Sequence, residues 1–251
     1  MRSFQTIVDG GPEMIMHAFL QTGCTILVPT FTYQFEAKPI PPYMPERNGA
    51  GDYRYFLSKK YDEPNSLFST DGKEISVEEM GVFAKCVLDS NASLRGNHPL
   101  NSFTAVGPDA KRLTERQSPM DVYAPFRQLI EDNGRILLMG TGLDSATIIH
   151  YAEQLAGRQL FIRWAYDNNK QVMPVQTGGC SDGFNNIEKI LQPIETKTIV
   201  GGSIWRSYDA GEMVKLCVKE IIRHPQITHC DNPDCERCND AIAGGPIIDF
   251  E

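Results

Sequence analysis

The sequence predicts an α/β fold in which a central mixed sheet is flanked by helices. Short apolar runs typical of buried strands, among them residues 24–29 and 135–140, alternate with amphipathic helical patterns. The chain has 251 residues, 41% of them hydrophobic, which is enough to bury a sizeable core. Because no repeat or composition change marks a boundary, we expect a single domain over residues 1–251, with residues 225–251 as a Cys-rich C-terminal extension.

The first predicted helix follows a glycine-rich turn. Gly10 and Gly11 indicate the turn, since glycine adopts backbone conformations that other residues avoid. Pro12 is favoured in the first turn of a helix, where its missing N–H has no intrahelical partner to lose. An amphipathic helical pattern then covers residues 13–20.

A short strand and a long irregular segment come next. Residues 24–29 predict a buried strand that ends at a proline, and Thr30 and Thr32 follow at its carboxyl end. In open α/β sheets, ligands bind at that end of the strands. Residues 33–69 are rich in Pro, Gly, Tyr and charge, without a sustained period. Such a length without regular structure favours a functional loop or lid.

Regular patterns return after this segment. Ser76 and Glu79 have the spacing of a capping box at the start of an apolar stripe over residues 77–84, which predicts a helix. Residues 103–106 predict a strand, and residues 121–130 predict a further helix. The middle of the chain therefore continues the alternation of strands and helices.

A histidine and a glutamate follow the clearest strand of the chain, which is predicted at residues 135–140. His150 and Glu153 are three residues apart in a helical segment, so they share a face and Glu153 can hold one ring nitrogen of His150. Such a pair suits a general base, although the same spacing also occurs in purely structural pairs. The remaining predicted elements are strands at residues 159–164 and 197–200 and helices at residues 183–192 and 210–223.

Composition and charge narrow the class of partner. The formal net charge is −8 and the pI is near 5.2, whereas proteins that bind nucleic acid or anionic membranes carry an excess of Lys and Arg. No apolar run is long enough to cross a bilayer, and the start of the chain is unlike a signal peptide. We therefore expect a cytoplasmic protein that binds neither nucleic acid nor membrane and whose acidic surface suits a cationic small molecule. A homodimer is left open.

Three of the seven cysteines cluster near the C-terminus. Cys230, Cys235 and Cys238, together with His229, have the residue types of a tetrahedral zinc site. Adjacent residues such as His229 and Cys230 rarely reach one metal ion, so a reduced Cys-rich turn without metal is the favoured interpretation. Cys180 is isolated in sequence and is expected to be packed rather than reactive.

An ordered series of motifs extends over about residues 2–191. The motifs are VDGGP at 8–12, LVPTFT at 27–32, RGNHPLNS at 95–102, AVGPDA at 105–110, QSP at 117–119, GRILLMG at 134–140, TIIHYAE at 147–153 and GCSDGF at 179–184. Each motif is weak alone, but their order is specific, and the series resembles one known family, the aminoglycoside 3-N-acetyltransferases, which are antibiotic N-acetyltransferases that use acetyl-coenzyme A.

The resemblance implies direct acyl transfer from acetyl-coenzyme A to an amine, the 3-amino group of the 2-deoxystreptamine ring of an aminoglycoside. His150 is then the general base, and Glu153 orients it and stabilises the imidazolium that forms. The tetrahedral intermediate carries an oxyanion that needs hydrogen-bond donors. Thr32 or Thr30 is expected to provide a hydroxyl or backbone N–H there, and both residues are equally typical of a strand end.

The resemblance also implies where the coenzyme binds. Ser3, Gly10 and Gly11 precede a helix whose N-terminus offers free N–H groups and a positive dipole end to a pyrophosphate or pantetheine. His98 and Ser102 are expected beside the same cleft, although a histidine before proline also stabilises an extended turn.

Substrate recognition and the start of the chain are less well defined. A polycationic aminoglycoside needs carboxylates, for which Asp144 and Asp182 are the candidates nearest to the motifs. Relatives begin with an additional helix and strand that contribute to the coenzyme site and lie upstream of Arg2. Either the chain is a truncated form, or its binding of acetyl-coenzyme A is weakened. Two alternative functions therefore remain, a coenzyme A-dependent N-acyltransferase for another amine and a non-catalytic binding protein.

Overall fold

The computed structural model of the protein describes residues 9–51, 53–61 and 67–249. Its contacts divide the chain into two units, each assembled from three segments. The first unit contains residues 1–38, 60–128 and 163–176, and the second contains residues 39–59, 129–162 and 177–251. Because these segments interleave along the chain, no single position separates the units, which explains why the composition shows no boundary.

Helices and strands follow one another in the order α1 (Gly11–Gln21), β1 (Ile26–Pro29), α2 (Arg54–Ser58), α3 (Val77–Asp89), β2 (Leu94–Arg95), β3 (Phe103–Val106), α4 (Ala110–Thr114), α5 (Ala124–Glu131), β4 (Arg135–Met139), α6 (Ile148–Leu155), β5 (Phe161–Tyr166), β6 (Val172–Thr177), α7 (Glu188–Leu191), β7 (Thr196–Val200), β8 (Ser203–Asp209), α8 (Ala210–Arg223) and α9 (Glu236–Ile242). Single helical turns lie at Pro41–Tyr43, Leu143–Ser145, Phe184–Ile187, Gln192–Ile194 and Pro225–Thr228. In this described part of the chain, no helix is long and apolar enough to span a bilayer.

The first unit is built around a three-stranded antiparallel sheet in the order β1-β3-β2. The central strand β3 is buried along its whole length, which suits its apolar and β-branched sequence. Phe103 of β3 meets Phe31 and Phe126 edge to face, with ring centroids 5.5 Å and 4.9 Å away. Helices α3 and α4 pack against this sheet, and α1 packs against α3.

The second unit is built around the antiparallel sheet β4-β8-β7 and the helices α6 and α8, which pack against each other. Asp209 caps α8, its carboxylate accepting a hydrogen bond of 2.9 Å from the N–H of Glu212. Helix α6 is buried on every side from Ile148 to Glu153, as expected of a core helix. The side chains of His150 and Glu153 therefore lie in the core of this unit.

The α/β class is confirmed, but the predicted central mixed sheet is wrong for the described residues. The strands form two three-stranded antiparallel sheets, and β5 pairs with β6 in a third, smaller one. The sequence did not predict strands β6 and β8. Pro174 interrupts the apolar pattern of β6, and several polar residues obscure the alternating pattern of β8. Both strands lie beside a predicted one and complete its pairing.

The antiparallel pairing also removes one argument made for Thr30 and Thr32. Both residues do follow β1 at its carboxyl end. The ligand-binding rule holds for parallel strands, whose carboxyl ends share one edge, whereas neighbouring antiparallel strands end at opposite edges. The position of these threonines after β1 therefore no longer indicates a ligand.

Two local predictions need correction. Ser76 does precede α3, but its side chain makes no capping hydrogen bond, so the predicted capping box is wrong. The helix predicted over residues 183–192 is divided into the turn Phe184–Ile187 and the short helix α7. In both places the sequence located the helix correctly, but tertiary packing set its local geometry.

The predicted irregular segment at residues 33–69 contains α2 and is anchored where it enters the second unit. Asn48 clamps β5, since its amide donates to the carbonyl of Ile162 at 2.9 Å and accepts from the N–H of the same residue at 2.8 Å. The N–H of Gly49 donates to Asp240 of α9 at 2.7 Å. This part of the segment is thus a fixed structural connection, not a free loop.

Candidate functional site

The hydrogen bond predicted between His150 and Glu153 is present on α6. Nδ1 of His150 and Oε2 of Glu153 are 2.8 Å apart. Both residues are largely buried, with 6% and 7% of their surfaces exposed. Because an ionised carboxylate only accepts hydrogen bonds, Nδ1 of a neutral imidazole must carry the proton, which leaves the lone pair on Nε2.

Arg158 is a third member of this group that sequence reasoning missed. Its Nη1 lies 2.5 Å from Oε1 of Glu153, so the two carboxylate oxygens bind two different partners. The guanidinium gives the buried carboxylate a counter-charge, which a buried ion requires. The N–H of Arg158 also donates to the carbonyl of Glu153 at 3.1 Å, and that of Gly157 donates to Gln154 at 3.0 Å.

These two backbone bonds form a Schellman motif, with Gly157 at φ 98° as its glycine. The motif places the residue after the glycine beside the third residue from the end of the helix, here Arg158 beside Glu153. The signal that could have identified Arg158 is thus the sequence Ala-Gly-Arg directly after the helix. Arg158 itself is held by Thr228 Oγ1 at 2.7 Å and by the carbonyl of Pro225 at 2.6 Å.

The ring of His150 is positioned from a second side by Phe184. Their ring centroids are 4.7 Å apart, at an interplanar angle of 64°. Among the described residues, Nε2 of His150 has no hydrogen-bond partner. A neutral imidazole with its tautomer fixed and one nitrogen uncommitted can accept a proton, so the arrangement is suited to general-base catalysis.

Thr30 and Ser102 lie in a buried polar cluster of the first unit. The hydroxyl of Thr30 contacts the hydroxyls of Ser102 at 3.0 Å and Thr104 at 2.9 Å. Arg95 donates to Ser102 Oγ at 2.8 Å and to the carbonyl of Thr30 at 3.0 Å. Both Thr30 and Ser102 are fully buried. The contacts of these two side chains are structural, and a contact with coenzyme would require some of them to break.

His98 is also fully buried, and both of its ring nitrogens are occupied. Nε2 lies 2.8 Å from the carbonyl of Gln176, and Nδ1 accepts from the N–H groups of Leu100 and Asn101 at 3.2 and 2.8 Å. Burial lowers the pKa of His98 from 6.5 to about 4, although its hydrogen bonds act in the opposite direction. His98 is therefore a neutral histidine that organises the turn after β2, the structural role expected of a histidine before proline.

Thr32 differs from Thr30 in the hydrogen bonds that its hydroxyl makes. Its backbone N–H donates to the carbonyl of Leu100 at 2.9 Å, and its hydroxyl oxygen accepts from the N–H of Gln34 at 3.3 Å. Among the described residues, its hydroxyl donates no hydrogen bond. Of the two predicted oxyanion donors, Thr32 is thus the one whose hydroxyl can still donate a hydrogen bond to a ligand.

The predicted glycine-rich turn is present at the start of α1. Gly10 and Gly11 have positive φ values of 79° and 60°, and Pro12 lies in the first helical turn. Among the residues that the structure describes, no side chain caps this end of the helix, and among these residues its first N–H groups are available to an anion. Ser3, the third predicted residue of this group, lies outside the described residues.

The two predicted substrate-binding carboxylates are exposed on the second unit. Asp144 lies in the turn Leu143–Ser145, between β4 and α6. Asp182 accepts a weak hydrogen bond from the thiol of Cys180, at 3.4 Å from Sγ. Both are close in sequence to the group around His150, as the motifs implied, and both are free to meet a cation from solvent.

The cysteine cluster has a different composition from the one predicted. Cys180 joins Cys230, Cys235 and Cys238, and the four sulfur atoms all lie within 4.8 Å of one another. The ring nitrogens of His229 instead face two oxygens, the carbonyl of Cys230 at 2.6 Å and Asn239 Oδ1 at 3.1 Å. His229 is thus excluded from the set, as the argument about adjacent residues suggested, and Cys180 takes its place.

The chain resembles known proteins in sequence. The family model described as aminoglycoside 3-N-acetyltransferase matches residues 1–221. Aminoglycoside N(3)-acetyltransferase III of Serratia marcescens is 35% identical over an alignment of 168 positions that covers 57% of this chain and 62% of that protein. Aminoglycoside N(3)-acetyltransferase IX of Micromonospora chalcea is 40% identical over 67 residues, 26% of this chain and 24% of that protein. The aligned part of the chain thus spans less than two thirds of each of these relatives.

Solved structures share the fold at lower sequence identity. The apoenzyme of the aminoglycoside acetyltransferase AAC(3)-IVa has a TM-score of 0.69 at 21% identity, covering 97% of this chain and 87% of that chain. The binary complex of AAC-IIIb with CoASH has a TM-score of 0.66 at 19% identity, covering 88% and 87%. On the strength of the family match over residues 1–221, the chain belongs to the aminoglycoside 3-N-acetyltransferase family.

Proposed function

We propose that the protein transfers an acetyl group from acetyl-coenzyme A to the 3-amino group of an aminoglycoside, with His150 as general base. The observation that carries the proposal is the oriented imidazole, whose Nδ1 is held 2.8 Å from Glu153 and whose Nε2 has no partner among the described residues. The relatives support the choice of substrates, since AAC-IIIb was solved with CoASH and AAC-VIa with sisomicin.

The chemistry requires one proton to be removed as the amine attacks. The amine nitrogen forms a bond to the thioester carbonyl, and Nε2 of His150 takes up the proton that this nitrogen loses. When the tetrahedral intermediate collapses, the carbon–sulfur bond breaks, and the leaving thiolate takes the proton from the imidazolium to give coenzyme A. Glu153 stabilises the imidazolium during this interval, and Arg158 fixes the carboxylate that does so.

Other residues of the chain have proposed supporting roles. Thr32 would donate its hydroxyl to the developing oxyanion, and the start of α1 at Gly10 and Gly11 would bind a phosphate or the pantetheine arm of the coenzyme. The exposed carboxylates of Asp144 and Asp182 would bind ammonium groups of the aminoglycoside. Because acetyl-coenzyme A is an intracellular metabolite, the proposal places the enzyme in the cytoplasm.

A thiol-release assay with acetyl-coenzyme A and a panel of aminoglycosides tests the proposal. We expect turnover by the wild type and a loss of about 10²- to 10⁴-fold in kcat for His150→Ala, because the base is removed. His224→Ala is the matched control, since that histidine is exposed on the same unit, and its rate should equal that of the wild type. Coenzyme binding, measured by calorimetry, should persist in both variants.

Three results would contradict the proposal, each in a different way. Turnover with other amines but with no aminoglycoside would indicate an N-acyltransferase of different specificity. Coenzyme or aminoglycoside binding without turnover would indicate a binding protein. Unchanged turnover by His150→Ala would remove His150 from the role of base.

A further inference from the structure

Four free cysteines of the second unit converge on one point. Cys180 comes from the loop after β6, Cys230 follows the turn Pro225–Thr228, and Cys235 and Cys238 lie at the start of α9. Their sulfur atoms all lie within 4.8 Å of one another. Three of the four thiols are close together in the sequence, and the fold brings the fourth, that of Cys180, to them.

The sulfur separations fit a metal ion better than they fit disulfides. Zinc–sulfur bonds of about 2.3 Å in a tetrahedron hold the sulfurs about 3.8 Å apart, and Sγ of Cys230 lies 3.7 Å from Sγ of Cys238. A disulfide requires a separation of about 2.0 Å. The set therefore has room for one ion at its centre.

Backbone N–H groups also point at these sulfurs. The N–H of Cys230 donates to Sγ of Cys238 at 3.5 Å, that of Cys238 donates to Cys235, and that of Asp182 donates to Cys180. Hydrogen-bond donors of this kind surround the ligands of a metal site and fix their orientation.

We propose that Cys180, Cys230, Cys235 and Cys238 bind one structural zinc ion. Four sulfur ligands in a tetrahedral arrangement select zinc or iron among common metals. Four protein ligands complete the coordination shell and leave no position for substrate, which is the mark of a structural site. The site is distinct from the group around His150.

The ion would hold in place the two segments that carry Phe184 and Thr228, which support His150 and Glu153. This consequence rests on the proposed function. Gly183 lies so close to the carbonyl of His229 that an added Cβ would come within 2.3 Å of its oxygen, so the Cys180 loop and the chain before Cys230 are packed directly together. Phe184, next to this contact, carries the ring that touches His150. On the other side, Thr228 binds Arg158, which binds Glu153.

Metal analysis of the purified protein tests the site directly. We expect about one zinc per chain in the wild type and loss of most of that zinc in Cys235→Ser and Cys180→Ser after exposure to a weak chelator. Cys24→Ser is the matched control, since Cys24 is an exposed cysteine outside the cluster, and it should retain its zinc. Cobalt added to the metal-free, reduced protein should give the intense visible bands of a tetrahedral four-thiolate site.

Several results would overturn the proposal. These are a wild type that contains no zinc and takes up none after reduction, iron in its place, or a titration of the unreduced protein that shows cluster thiols paired as disulfides. Equal zinc content in Cys180→Ser and the wild type would remove Cys180 from the set.

The link to His150 has a separate readout that does not depend on turnover. Removal of zinc should lower Tm by at least about 5 °C, because a ligand of the folded state is lost. It should also shift the imidazole resonances of His150 in NMR spectra, and returning zinc should restore them. A zinc-loaded protein whose His150 resonances do not respond would contradict the link, whereas inactivity with normal zinc content would count only against the proposed reaction.

Discussion

Glu153 shows how one side chain can serve two neighbours of different kinds. One of its oxygens faces the imidazole of His150 and the other faces the guanidinium of Arg158. In the proposed reaction the imidazole takes up a proton, whereas the guanidinium serves as a fixed cation. The guanidinium thus holds the carboxylate in place while the carboxylate orients the imidazole.

Replacement of Arg158 by alanine should be strongly destabilising. It leaves the buried carboxylate of Glu153 without its counter-charge, and breaking a buried ion pair costs about 3–5 kcal/mol. Urea unfolding of the variant and the wild type measures this loss. Arg158→Lys keeps the charge but cannot hold Thr228, Pro225 and Glu153 together, and it should fall between the two. Equal stability of Arg158→Ala and the wild type would show that the pair is not needed.

His98 should make the protein less stable in acid. Its folded pKa, about 4, lies below the ordinary value of 6.5, so the unfolded chain binds its proton more tightly. Stability is therefore retained above about pH 6.5 and lost as the pH falls toward 4, with a loss of about 2 kcal/mol at about pH 5. Urea midpoints at several pH values measure it.

His98→Asn is the control for this pH dependence. Asparagine keeps an acceptor for the N–H groups of Leu100 and Asn101 but does not titrate, so its pH profile should be flatter than that of the wild type. Parallel profiles would assign the acid sensitivity to other groups.

At the scale of elements, strong patterns were recognised and weak ones were not. Helices α1, α6 and α8 and strand β4 have the periodicity or the apolar run that local sequence rules detect. Strands β6 and β8 contain a proline or several polar residues, and their pairing with a neighbouring strand provides the stability that their own sequence does not. Such elements exist because of contacts distant in sequence.

Asn48 illustrates a contact of this kind, and its loss should be measurable. Asn48→Ala removes two buried hydrogen bonds to the backbone of Ile162, at about 1 kcal/mol or more each, so a loss of about 2–3 kcal/mol is expected. Thermal or urea unfolding provides the value. Asn168→Ala, at an exposed position of the β5–β6 loop, should change stability by less than about 0.5 kcal/mol. A similar small change for Asn48→Ala would mean that the clamp is dispensable.

At the scale of the whole molecule, the C-terminal extension, residues 225–251, is part of the second unit although it lies beyond the family match. Its first turn binds Arg158 through Thr228 and Pro225. Further on, Asp240 accepts from Gly49, and the carbonyl of Gly244 accepts from the N–H of Gln159 at 2.8 Å. The extension thus contributes to the structure around the candidate base.

Deletion of residues 225–251 should therefore abolish cooperative unfolding, even though the remaining chain contains the complete family match. The deletion exposes the buried pair of Glu153 and Arg158 and removes three of the four cluster cysteines. Circular dichroism during heating measures the transition. A shorter deletion of residues 248–251 leaves these contacts in place and should retain it. A sharp transition in the longer deletion would show that the extension is an accessory.

The sequence by itself determined the family-like motifs, the helix that presents His150 and Glu153 together, and the α/β class, because these depend on residues near one another in the chain. Only the tertiary structure decided that Arg158 neutralises Glu153, that Phe184 contacts the ring, and that Cys180 rather than His229 completes the cysteine cluster. It also showed that Thr30, His98 and Ser102 are engaged in structural hydrogen bonds. Local spacing sets which residues share a helical face, whereas the burial and pairing of a polar group depend on segments that only folding brings into contact.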